Sequence, residues 1–135
     1  SLGAYIAALW SVLDRLAFTI PIVPLSSMSA LAWKLLNELA PKLLNTNPSL
    51  CQALLERAFR VHSPLTFPFK GRSSEVLIIS GLEDQIVPAH HPQQLWEHFG
   101  RPRQAQLANG HGAHITDRSV FADVVSFLRS LHMLQ

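Results

Sequence analysis

The chain has 135 residues, enough for one domain with a sizeable core, and 48% are apolar against 15% charged, which excludes a disordered segment. Eleven Lys and Arg against nine Asp and Glu give a formal charge of +2, spread along the chain with no basic run among aromatics, so nucleic acid is not an expected partner. The single cysteine, Cys51, can close no internal disulfide and reads as a small buried apolar residue, compatible with a reducing, cytoplasmic setting.

In chain order, residues 3–16 place Tyr5, Ile6, Leu9, Val12, Leu13 and Leu16 at helical spacing. The run 17–23, AFTIPIV, reads as a short buried strand, with Pro21 marking an edge or a bulge because proline has no ladder donor. Two helical segments follow, about 28–44 and 48–60, with Asn47-Pro48 as cap and first-turn pair of the second. Two helices between parallel strands exceed what a crossover needs, so 24–60 reads as an inserted cap or lid. Its Leu31, Trp33, Leu35, Leu36 and Leu43 fit either helix-pair packing or an apolar surface for a ligand.

Residues 62–74 form a loop, and EVLIIS (75–80) is a second strand. A loop at 81–88 and a short helix at 91–99 lead to a weaker strand at 103–108. A glycine-rich loop at 109–114 precedes an amphipathic helix at 117–133, whose apolar face is Val120, Phe121, Val124, Phe127, Leu128 and Leu131. Alternating helices and strands indicate a parallel α/β architecture in a single domain, 1–135. Apolar runs such as 16–25 are too short and proline-broken to span a bilayer, and no signal-peptide pattern appears, although a chain opening on Ser1 can have lost a preceding segment.

The chemistry concentrates at two loops. Gly81-Leu82-Glu83-Asp84-Gln85-Ile86-Val87-Pro88 sets an acid just past the carboxyl end of a parallel strand, where open α/β sheets build their sites. Asp84 is the favoured acid and Glu83 its alternate. The glycine-rich turn after the next strand carries His111, with His114 as its rival. One helix and one strand separate Asp84 from His111, so adjacent strands would bring both to one sheet edge, where the acid can fix the imidazole's tautomer. His90 and His91 precede a helix and read as surface residues, while His62, His98 and His132 are scattered. No histidine pair has a metal-ligand spacing with a third donor nearby, so neither metal nor cofactor is assigned.

No complete G-x-S-x-G occurs, but Ser1-Leu2-Gly3 followed by an alanine-rich helix matches the last three residues of that motif. Ser1 could also be incidental, or an N-terminal nucleophile using its own amine, though the latter leaves Asp84 and His111 without a purpose. With Ser1 counted, the order is Ser, Asp, His. On Ser1-Leu2-Gly3, on Gly81 to Pro88 and on Asn109-Gly110-His111-Gly112, the chain resembles the C-terminal half of an α/β-hydrolase. Residues 95–102, LWEHFGRP, resemble a stretch of bacterial serine hydrolases of unassigned substrate.

The resemblance implies a three-layer α/β fold holding the last three strands of that sheet, with a helical cap insertion. It also implies a serine ester hydrolase working through an acyl-enzyme on a small ester or acyl substrate. Ser1, Asp84 and His111 would be catalytic, and the backbone N–H of Leu2 would be one oxyanion donor. The strand that leads into the elbow is missing, so weak or no activity is expected of the isolated chain. Strand 17–23 would be left with an open edge, through which homo-oligomers or other associations are expected. The alternative is a non-catalytic module of the same fold that binds a partner or an apolar ligand.

Overall fold

The computed structural model describes residues 1–44, 47–108, 110–112 and 115–134, with the Leu43 side chain outside that description. The elements are α1 (Leu2–Leu13), α2 (Met28–Leu39), α3 (Pro48–Phe59), β1 (Leu77–Gly81), α4 (His90–His98), β2 (Arg103–Leu107) and α5 (Arg118–Ser130). Short 3-10 turns lie at Pro41–Leu44, Arg60–His62 and Ser73–Glu75.

β1 and β2 pair in parallel, from Leu77 opposite Arg103 to Gly81 opposite Leu107. Segment 17–23 lies along the other side of β1, in a parallel bonding pattern with one gap. Thr19 N–H donates to Glu75 O at 3.0 Å, Leu77 N–H to Thr19 O at 3.1 Å, Ile79 N–H to Pro21 O at 3.1 Å and Val23 N–H to Ile79 O at 2.7 Å. The missing bond is the one residue 21 would donate, and proline has no N–H. The segment therefore makes two isolated bridges, Thr19 with Val76 and Ile22 with Ile79, instead of a continuous ladder.

β1 is buried along its whole length, and its alternating side chains divide the core. Val76 and Ile78 pack with Ala8 and Val12 of α1, with Leu95 of α4 and with Phe99 at its C-terminal cap. Leu77 and Ile79 pack on the opposite face with Leu107 and with Val120 and Phe127 of α5. This is the expected three-layer arrangement: α1 and α4 on one side of the sheet, α5 on the other. Gly100, at φ 77°, stops α4 in the left-handed conformation that only glycine adopts at little cost, and Arg101 N–H returns to Trp96 O at 2.8 Å.

At the carboxyl end of segment 17–23 the chain swings out of the sheet. Val23 carries φ 52°, a strained conformation for a β-branched residue. It is held there by its bond to Ile79 O and by packing with Tyr5, Leu25 and Val87. Ser27 then caps α2, accepting the Ala30 N–H at 3.2 Å, and Asn47 caps α3, accepting the Leu50 N–H at 3.0 Å. Helices α2 and α3 pack on each other, and neither contains a buried residue.

Three expectations need correction. The helix expected over 28–44 ends at Leu39, because Pro41 forces Ala40 out of the helical region and only a 3-10 turn follows. Phe121 is 76% exposed: it lies about 100° round α5 from Val120, at the margin of the apolar face. Cys51 is half-buried in an apolar groove of about 340 Å³ with Leu36, Leu44, Leu54, Leu55 and Ala58.

Candidate functional site

The carboxyl ends of β1 and β2 carry the two loops that hold the sequence's acid and histidine. Leu82 N–H donates to Leu107 O at 2.8 Å, so strand pairing continues one residue past β1 before the loop departs. Asp84 then folds back on its own loop. Its Oδ1 accepts the N–H groups of Ile86 at 2.9 Å and Val87 at 2.8 Å, a local turn that fixes the carboxylate and buries it completely. Val87 anchors the far end of the turn in the core with Tyr5, Val23 and Leu25.

The other carboxylate oxygen, Oδ2, lies 2.8 Å from Nδ1 of His111, whose side chain is 23% exposed. The loops touch here: a Cβ added to Gly110 would sit 3.5 Å from the Glu83 carbonyl oxygen. With Nδ1–H donated to the carboxylate, the neutral ring carries its basic lone pair on Nε2. A buried carboxylate can both hold this tautomer and stabilise the imidazolium formed when the ring takes a proton.

Of the alternates, Glu83 is exposed and contributes its carbonyl to the loop contact, while its neighbour Asp84 engages His111. His114 and Asn109 lie outside the described residues. Ser1 stands at the N-cap of α1, half-buried, with its carbonyl accepting the Tyr5 N–H at 2.9 Å and its side chain making no capping bond. It borders a cleft with Gly3, Ala4, Ala7, Ile20 and Ile22, between α1 and segment 17–23. Leu2 opens α1, where backbone N–H groups have no acceptor within the helix, and its side chain is 56% exposed. The structure thus joins Asp84 with His111 and puts Ser1 and Leu2 at a helix N-terminus.

His91 is not the surface residue that its position suggests. It is 4% exposed, and its Nδ1 lies 2.8 Å from Oγ and 3.3 Å from the backbone N of the fully buried Ser26. Ser26 Oγ also donates to the Gln94 side chain at 2.6 Å. Burial, and secondarily the neighbouring His90, lowers the His91 pKa to about 4, so the ring is neutral at pH 7. The signal was present in the sequence: His91, Leu95 and Phe99 recur every four residues, and all three face the core. Nearby, Lys34 of α2 donates to Gln85 O at 2.8 Å, which ties the helical insertion to the loop that carries Asp84.

No protein-family model and no curated protein sequence matches the chain. Solved structures do. An acetyl xylan esterase from Paenibacillus sp. R4 is 16% identical with a TM-score of 0.72, over 96% of this chain and 43% of that one. An esterase from Pyrococcus furiosus is 18% identical with a TM-score of 0.62, over 96% of this chain and 51% of that one. A hydrolase from Pseudomonas aeruginosa is 17% identical with a TM-score of 0.60, over 95% of this chain and 62% of that one. The chain therefore has the α/β-hydrolase fold and spans about half the length of the structures it resembles. Among the described residues, no helix is long and apolar enough to cross a membrane.

Proposed function

We propose that this chain is part of a serine hydrolase acting on small esters or related acyl compounds. The observation that carries the reading is the 2.8 Å bond from His111 Nδ1 to a fully buried Asp84 carboxylate at the carboxyl edge of a parallel sheet. The shared fold with two esterases and a hydrolase supports it.

In this reading Ser1 Oγ attacks the acyl carbon while His111 Nε2 takes its proton, and Asp84 stabilises the resulting imidazolium. The Leu2 N–H, free of any intrahelical acceptor, offers a hydrogen bond to the developing oxyanion. The imidazolium then protonates the leaving alkoxide. Water, deprotonated by the same ring, cleaves the acyl-enzyme and restores Ser1. No cofactor takes part. Residues 24–60 serve as the cap over this edge, tied to the acid loop through Lys34 and Gln85.

Turnover of short aryl esters by the purified chain is the direct test. His111→Ala should abolish it, and Asp84→Asn should lower it by about 10³- to 10⁴-fold through the wrong tautomer. Turnover that survives both substitutions would refute the assignment. The apolar groove between α2 and α3 favours a second reading, a module that binds an apolar ligand without catalysis, and that reading expects saturable binding of an apolar probe together with no turnover.

A further inference from the structure

A second cavity, of about 380 Å³, lies between the helical pair and the first turn of α4. Its walls include Ser29 and Trp33 from α2, Gln52 and Glu56 from α3, and His91 and Gln94 from α4. Among the described residues no lysine or arginine lines it, which disfavours an anion, and Trp33 is its one indole or phenyl ring beside the imidazoles of His90 and His91, too few aromatic faces for a quaternary-cation cage.

The most informative group is His91. It is buried, it borders the cavity, and its Nδ1 edge is taken by Ser26, which does not border the cavity. Its other nitrogen, Nε2, makes no hydrogen bond among the described residues. With Nδ1 turned to Ser26 and the residue on the cavity lining, the buried ring offers its other nitrogen to a polar group in that cavity. The ring is neutral, so Nε2 is a donor in one tautomer and an acceptor in the other. A hydroxyl satisfies either.

The remaining walls ask for the same chemistry. Glu56 accepts one bond from Gln52 Nε2 at 3.2 Å and keeps a further oxygen for a donor. Gln52 and Gln94 each carry both donor and acceptor atoms, and Trp33 offers an apolar face beside them. Groups that both give and accept hydrogen bonds, next to an aromatic face and without a compensating cation, suit a neutral polyhydroxylated ring. The volume lies at the small-ligand end of the usual range.

We propose that this cavity binds a neutral saccharide of one or two rings, with hydroxyls on His91 Nε2 and Glu56 and a sugar face against Trp33. Binding here requires neither Ser1 nor His111, so it stands apart from the hydrolase reading.

The test is a titration of the isotope-labelled chain with methyl β-D-glucoside, methyl β-D-xyloside and cellobiose, with choline and acetate as charged comparators. The readouts are the His91 imidazole nitrogens and the Trp33 indole N–H, the latter assigned by its loss in Trp33→Leu. The expected result is a saturable shift at both groups with at least one sugar and with neither charged probe. Affinity should fall about tenfold or more in Glu56→Ala, an exposed position on α3 that the fold does not need, and in Trp33→Leu, and stay unchanged in His111→Ala. Silence toward every sugar up to about 0.1 M, a response to choline or acetate instead, or an affinity indifferent to both cavity variants would overturn the proposal.

Discussion

Asp84 shows how one short side chain can both build a loop and present a charge. One oxygen closes the turn on Ile86 and Val87, and the other is left for His111. This much was legible in the sequence, because an acid past a strand end and a histidine one helix and one strand later can meet at only one sheet edge. His91 was not legible, because two adjacent histidines before a helix look like a solvated first turn. Only the four-residue recurrence with Leu95 and Phe99 shows that one of them faces inward. Its burial has a consequence for stability. The folded pKa, about 4, lies below the ordinary 6.5, so between those values the unfolded chain binds a proton that the folded chain does not. Stability should fall as pH drops from about 6.5 to 4, by roughly 2–3 kcal/mol from this group. Denaturant unfolding at pH 7 and pH 4.5 should show that loss in the parent chain and a smaller one in His91→Gln. Equal losses in both would exclude the effect.

At the scale of elements, boundaries follow local chemistry. Asn47 and Ser27 start their helices through side-chain acceptors, Pro41 breaks the long helical run, and Gly100 ends α4. Proline also explains why segment 17–23 is a strand in its bonding direction but not a continuous ladder. Within it, alternate amides have different fates. Thr19 and Val23 donate to Glu75 and Ile79, whereas Ile20 and Ile22 donate to no backbone acceptor among the described residues. Hydrogen exchange should therefore be slow at Thr19 and Val23 and fast at Ile20 and Ile22 in the dilute chain. Protection of Ile20 and Ile22 that appears only at higher concentration would locate an added strand on this edge. Uniform protection at every concentration would contradict the bonding pattern. The parallel α/β architecture was readable from the alternation of helices and strands. The exposure of Phe121 was not, because a residue at the margin of an apolar face depends on what packs beside it.

For the whole molecule, the sheet has two unlike flanks. On the β2 side, Arg103 meets Asp123 at 3.7 Å and Ser126 at 3.3 Å, a polar border. The other flank is apolar. Helix α1 contains no charged residue: Tyr5, Ala8 and Val12 face the core, while Leu2, Ile6, Trp10 and Leu13 are 51–57% exposed on the far side. A helix that is apolar all round is ordinarily covered, and the neighbouring edge of segment 17–23 offers backbone groups for pairing. The chain should therefore self-associate at roughly tens of micromolar, and Trp10→Glu should weaken that association. A monodisperse monomer by light scattering in that range would contradict it.

The proposed hydrolase chemistry stands on Ser1, His111 and Asp84 acting together. The most direct measurement is intact mass before and after a long exposure to a fluorophosphonate, with the adduct mapped by peptide analysis. One adduct is expected on Ser1, absent from His111→Ala. No adduct on the folded chain, or one that forms equally well in His111→Ala, would contradict it.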